Sequence, residues 1–232
     1  MENMNMWIRT ISLPIMMMSL AAASACSPEP DAAENSPPAG EQEETVLVVF
    51  ETAAGDIEVA LFPDRASLSV AQFLAHVDAG NYDGASFYRV TRGSDGSLID
   101  VVQGGLLSQA VRDGSEAYAE GYPSATAVAH ETTDQTGIPN ERGTLAFARL
   151  DPGTADTEIF FNVRDNPELD TGFTEGGRGG FGYATFGRVV EGMQVLDEVQ
   201  QMPSDAPTPM ETVRGQILDQ PVLIRRIYRK GP

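Results

Sequence analysis

The chain has 232 residues, with 34 acidic against 15 basic side chains and a formal charge of −19. That charge repels phosphate backbones and anionic lipid, which excludes nucleic-acid binding through a basic surface and direct adsorption to a membrane. One cysteine and two histidines exclude an internal disulfide framework and a thiolate-rich metal site, and they leave little for histidine-based catalysis.

The N-terminus reads as a targeting segment. Arg9 precedes an apolar run from Ile11 to Ala23, broken by Pro14 and ending in Ala23-Ser24-Ala25-Cys26. The run is too short to span a bilayer as a helix, and small residues after a short apolar stretch mark a secretory signal over residues 1–25. Ordinary signal peptidase could cut after Ala25. The same residues also resemble a bacterial lipobox, in which Cys26 becomes the lipid-bearing first residue. The single cysteine stands where lipidation needs it and nowhere else, so a lipoprotein is expected. Ser27, rather than an aspartate, implies the outer membrane and hence the periplasm. Residues 26–44 are acidic and proline-rich, with no large apolar side chain, and are expected to form a disordered tether.

Residues 45–232 are expected to form one domain. Thr45–Thr52 and Asp56–Phe62 are β-rich runs separated by Ala53-Ala54-Gly55, the pattern of a hairpin. Val70, Phe73, Leu74 and Val77 follow at helical spacing, ended by Gly80. Further strands are expected at Ala85–Val90, Ile99–Gln103, Thr144–Arg149, Glu158–Val163, Tyr183–Val190 and Pro221–Tyr228, with a second helix at Met193–Gln200. Short strands without βαβ alternation argue for an antiparallel barrel or sandwich. Leu106–Asn140 and Asp165–Phe181 are poor in periodicity and read as long loops.

The usual catalytic constellations are missing. The run Gly176–Gly180 lacks the lysine and the strand–helix context of a phosphate-binding loop, and no serine sits in a G-x-S-x-G elbow. Asp151–Glu158 lacks the spacing of a calcium loop and reads as a solvated turn. His76 sits beside the apolar stripe of the first helix, which suggests packing. His130 has no histidine partner nearby.

An ordered set of segments remains: Phe87-Tyr88-Arg89-Val90, Val101-Val102-Gln103-Gly104-Gly105, Gly143–Arg149, Ile159–Val163 and Tyr183–Gly192. In this order they resemble the cyclophilin-type peptidyl-prolyl cis-trans isomerases, closest to bacterial members. The resemblance spans nearly all of residues 45–229. It implies a mostly β fold, a closed eight-stranded antiparallel barrel capped by two helices. It also implies an isomerase that needs no cofactor or metal and binds proline-containing unfolded or extended polypeptides. A monomer is expected, touching the membrane only through the lipid that the lipobox reading places on Cys26. Rotation about an Xaa-Pro bond needs neither nucleophile nor proton transfer, which suits this inventory. By the resemblance, Arg89 matches the catalytic arginine and Gln103 the glutamine that binds substrate backbone and steadies it. Phe160 and Leu169 match the floor and wall of the proline slot. Val101 and Tyr183 take positions where methionine and histidine are usual, and Ala148 and Arg149 match the strand end that bonds the substrate backbone.

Three acids depart from the family pattern. Glu158 replaces a usual glutamine in the substrate-binding set, and Asp100 falls near a usual pocket phenylalanine. Glu168 stands where an aromatic residue is common. The loop Thr91–Leu98 is longer than usual, so Leu98 or Ile99 could fill the phenylalanine slot instead. An acid at Glu158 is expected to pair with Arg89, either orienting or sequestering it. These acids motivate a rival reading, a weakly catalytic domain that binds proline segments as a chaperone or scaffold.

Overall fold

Two strands separated by a tight turn start the domain. β1 (Val46–Thr52) and β2 (Asp56–Leu61) pair from Val46 opposite Leu61 to Glu51 opposite Asp56. Gly55 closes the turn at φ +135°, and any Cβ there would press into Val195. The Thr52 hydroxyl donates to the Gly55 carbonyl and accepts from the Ala54 N–H, satisfying the turn locally. The protein is known from a computed structural model that describes residues 44–114, 127–174 and 178–231. The expected signal segment, Cys26 and the tether as far as residue 43 lie outside the described residues.

α1 (Ser67–Asp78) follows and buries Val70, Phe73, Leu74 and Val77, the stripe its spacing predicts. Its own N-cap position is Ala66, which offers no side-chain acceptor. Glu131 supplies one from a distant loop, accepting from the Leu68 and Ser69 N–H groups at 3.1 and 2.7 Å. A carboxylate there also opposes the positive end of the helix dipole.

The remaining strands are β3 (Ser86–Thr91), β4 (Val101–Gly105), β5 (Thr144–Phe147), β6 (Ile159–Asn162), β7 (Thr185–Glu191) and β8 (Ile217–Arg229). They close into an antiparallel barrel in the order β1-β2-β7-β5-β6-β4-β3-β8. β8 completes it by pairing with β1 on one side and β3 on the other. The inward positions of these strands, with α1 and the helix Met193–Gln200, form one core around Phe50, Phe73, Phe87, Phe147, Phe161 and Phe186. The rings meet in stacked, tilted and edge-on pairs 4.6 to 6.5 Å apart.

The expectation of a loop over Leu106–Asn140 needs correction. Within it lie α2 (Ser108–Asp113) and the short α3 (Thr133–Thr136), each ended by a left-handed glycine; Met193–Gln200 is therefore α4. α3 carries a capping box between Thr132 and Gln135. The solvated-turn reading of Asp151–Glu158 holds only at its start, where the Thr154 hydroxyl accepts from the Asp151 N–H and donates to its carbonyl. Asp156 and Glu158 are buried.

Candidate active site

A break in strand alternation places the candidate residues on one surface. Phe87 and Val90 both point into the barrel core, three positions apart, which strict alternation forbids. The register of β3 shifts between Phe87 and Arg89 against both of its neighbours. This bulge puts Tyr88 and Arg89 side by side outside the core. Tyr88 joins a small outer cluster with Val111, Val213 and Ile217, and Arg89 opens onto a cleft.

Across four strands the outward positions then fall in one row. Arg89 pairs with Gln103 on β4, Gln103 with Phe160 on β6, and Phe160 with Ala146 on β5. Val101 and Ala148 extend the row on the same face. The cleft above it measures about 470 Å³ to its open mouth and is lined by Arg89, Ile99, Val101, Gln103, Ala148, Arg149, Leu150, Phe160, Leu169 and Tyr183. Eight residues expected from the sequence meet here: Arg89, Val101, Gln103, Ala148, Arg149, Phe160, Leu169 and Tyr183.

The polar half of the cleft is Arg89 and its acceptors. Nη1 donates to Gln103 Oε1 at 2.7 Å, while Nε and Nη2 both donate to Gln216 Oε1 at 2.8 and 2.6 Å. Both partners are neutral, so the guanidinium is fixed without losing its charge. These bonds use three of its five N–H groups, leaving two donors without an acceptor among the described residues.

The apolar half is Val101, Ala148, Phe160 and Leu169, with Ile99 and Tyr183 packed beside them. Phe160 and Tyr183 meet edge to face at 5.6 Å, and Arg149 lies over the Tyr183 ring at 4.7 Å. The Arg149 guanidinium also donates to the Gly182 carbonyl. Behind the slot runs a chain of buried carboxamides. Asn166 donates to Asn162, which donates to Asn140, which donates to the Leu169 carbonyl at 3.0 Å. The Asn166 side chain also holds both backbone groups of Asp100, next to Ile99. Two loops that form the slot are thereby fixed to β6.

The acids correct the sequence reading. Glu158 does not pair with Arg89 and does not line the cleft. It is 0% exposed, behind Tyr88, whose hydroxyl donates to Glu158 Oε2 at 2.6 Å. The Leu107 N–H donates to Oε1 at 3.0 Å. Burial pushes this carboxyl up to about 7, although the bonds from Tyr88 and the backbone oppose the shift. Asp100 turns away from the cleft, accepting from the Gly93 N–H at 2.6 Å and pairing with Arg164 at 3.3 Å. Ile99 fills the slot, while Leu98 is 55% exposed. Glu168 sits in the turn Pro167–Leu169 outside the cleft lining.

Gln216 and Leu150 were not among the expected residues. Gln216 stands just ahead of β8, 127 positions from Arg89, and nothing in its local sequence marks it. His76 is more than packing. Its Nε2 lies 2.8 Å from Asp156 Oδ1, and Gln72 and Asn81 contact its ring. His130 Nε2 lies 2.9 Å from the Phe181 carbonyl oxygen, and burial pulls its pKa down.

Comparison with known proteins agrees with this fold. The family model "Cyclophilin type peptidyl-prolyl cis-trans isomerase/CLD" matches residues 47–221. Peptidyl-prolyl cis-trans isomerase A of Dickeya dadantii is 35% identical over 167 residues, which are 72% of this chain and 77% of that protein. A peptidyl-prolyl cis-trans isomerase of Acinetobacter baylyi is 31% identical over 80% of this chain and 86% of its own. Among solved structures, the fold matches a Cryptosporidium parvum cyclophilin type peptidyl-prolyl cis-trans isomerase crystallised in the presence of the dipeptide Ala-Pro. That match has a TM-score of 0.58 and 19% identity, covering 80% of this chain and 99% of the other. The chain belongs to the cyclophilin-type peptidyl-prolyl cis-trans isomerases.

Proposed function

We propose that this chain accelerates Xaa-Pro isomerisation with Arg89 at its centre, in extracytoplasmic protein folding. The uncatalysed bond resists rotation with a barrier of about 18–20 kcal/mol, because the nitrogen lone pair is conjugated with the carbonyl. A donor aimed at the prolyl nitrogen holds that lone pair out of conjugation and makes the C–N bond more single. Arginine is suited to this, being always charged and rigidly forked. Each 1.36 kcal/mol removed is about tenfold in rate, so one or two donors in a dry slot suffice.

One observation carries the reading: Arg89 is held by the neutral Gln103 and Gln216 directly beside an apolar slot. Phe160 and Leu169 would receive the pyrrolidine ring, while Gln103 and the strand end at Ala148 and Arg149 would hold the substrate backbone. The rival reading, a binding module without useful turnover, drew on Glu158, Asp100 and the acidic loops; Glu158 does not pair with Arg89, and Asp100 turns away from the cleft. The decisive test is cis–trans exchange of an Ala-Pro peptide by NMR with residues 1–232 lacking only the signal segment. Acceleration should fall by about 10²–10³-fold in Arg89→Ala, the usual loss for one transition-state donor. An Arg89→Ala protein as fast as the parent would overturn the assignment.

The site of action is read from the N-terminus. Ala23-Ser24-Ala25-Cys26 and the acidic run after it support a periplasmic protein tethered to the outer membrane by a lipid on Cys26. Membrane extraction of the parent and of Cys26→Ser tests this. If both fractionate as soluble, the anchor is absent and simple secretion remains.

A further inference from the structure

Glu158 has no place in the mechanism so far, yet a continuous hydrogen-bond chain joins it to Arg89. Arg89 Nη1 donates to Gln103 Oε1, Gln103 Nε2 donates to the Tyr88 hydroxyl at 3.0 Å, and that hydroxyl donates to Glu158 Oε2. The two ends of the chain agree on the direction of every bond. A guanidinium only donates, so the Gln103 oxygen must face it and the Gln103 NH₂ must face Tyr88. A phenol has one proton, so Tyr88 can accept from Gln103 and pass its proton on only if a pure acceptor waits beyond. An ionised carboxylate is one. Its other oxygen is taken by the Leu107 N–H.

We propose that Glu158 is a positioning residue for the isomerase: its carboxylate, through Tyr88, sets the direction of the chain that orients Gln103 and holds Arg89. The inference rests on Arg89 being the catalytic centre. A glutamine at 158 could not do the same. The Leu107 N–H would claim its single oxygen, leaving an NH₂ against Tyr88. Tyr88 would then turn its proton toward Gln103, whose amide would flip and set its own NH₂ against the Arg89 guanidinium. A protonated Glu158 poses the same conflict, because its O–H must also donate. The fold makes room for this side chain. Gly105 lies at φ +151°, and a Cβ there would overlap Glu158 Oε1 and the Thr157 carbonyl.

Glu158 therefore acts as a carboxylate, and its ionisation should be visible in the rate. The groups facing it are Tyr88 on β3, Tyr82 after α1, the backbone ahead of α2, and Asp156, which His76 holds. Burial and Asp156 raise it to about 7. Activity should rise with pH through that value. His130 titrates below its ordinary value and so lies on the acid side.

The experiment measures NMR-detected exchange of an Ala-Pro peptide between about pH 5 and 9, with the parent, Glu158→Gln, Tyr88→Phe and Arg89→Ala. The parent should gain about fivefold across a midpoint near 7, the effect of one misplaced hydrogen bond. Glu158→Gln should be flat near the parent's acid limit, and Tyr88→Phe should be flat at its own level, because it cuts the link between Glu158 and Gln103. A flat parent profile, or the parent's inflection surviving in either variant, would overturn the proposal. Tyr88→Phe carries the same readout if Glu158→Gln does not fold. The two readings fail separately: an active Arg89→Ala removes both, whereas an inactive one beside an inflecting Glu158→Gln removes only the role of Glu158.

Discussion

Asp156 and Glu158 stand two residues apart, both buried, in opposite surroundings. Asp156 faces the His76 imidazole at 2.8 Å and the Gln72 amide at 2.9 Å, beside α1. Glu158 faces a phenol and a backbone N–H, beneath β3. Imidazole can carry a balancing positive charge, whereas neither partner of Glu158 can. Burial alone therefore does not say what an acid does. The first is a strut between α1 and the loop ahead of β6; the second is a group whose ionisation is set by desolvation against neutral donors.

Four changes would break or sharpen that contrast. The largest effect should come from His76→Leu, which keeps the volume but strips the imidazole from Asp156. A loss of about 3–5 kcal/mol in urea unfolding is expected, because a buried charge is left less compensated. Next is Glu158→Gln, read as a pH dependence. The folded carboxyl sits at about 7, above its ordinary 4.5, so the fold favours the protonated form. That stability is fully present below 4.5 and is lost as pH rises through 7. Relative to Glu158→Gln, the parent should lose about 3 kcal/mol over this window. A pH-independent difference would contradict the raised value. Tyr88→Phe should cost less, about 1–2 kcal/mol in the same urea assay, because the acid it deserts can take a proton. The smallest effect is expected for Asp156→Asn, which keeps the shape and removes the charge that raises Glu158. The midpoint of the rate profile should move to lower pH by less than about one unit.

What could be read from the sequence was whatever repeats locally. The stripe Val70, Phe73, Leu74 and Val77 specified α1, and α4 runs over Met193–Gln200 as its apolar positions predict. Val101, Gln103 and Phe160 were legible only through the resemblance of their segments to the family, and the strands place all three on the outer face. The ends of strands were harder to read. β4 starts at Val101 rather than Ile99, because the Asp100 backbone is engaged by Asn166. β8 starts at Ile217 rather than Pro221, and the proline lies where the register jumps from Ile217 to Val222 and no ladder N–H is needed. Glu131, Gln216 and the Asn140–Asn162 bond act across 22 to 127 positions, so no local pattern announces them. Glu158 misled because it stands where the family usually has a substrate-binding glutamine, whereas here the Tyr88 phenol lies between it and the cleft.

The last strand to be made is the one that closes the barrel. Until β8 docks, β1 and β3 both present open edges, and Gln216, just ahead of β8, is not there to fork the Arg89 guanidinium. Pairing the first strand with the last is a high-contact-order step and therefore a slow one. A chain still being synthesised thus carries its central arginine but lacks its second acceptor. The arginine is therefore fully held only once the last stretch of the domain is in place.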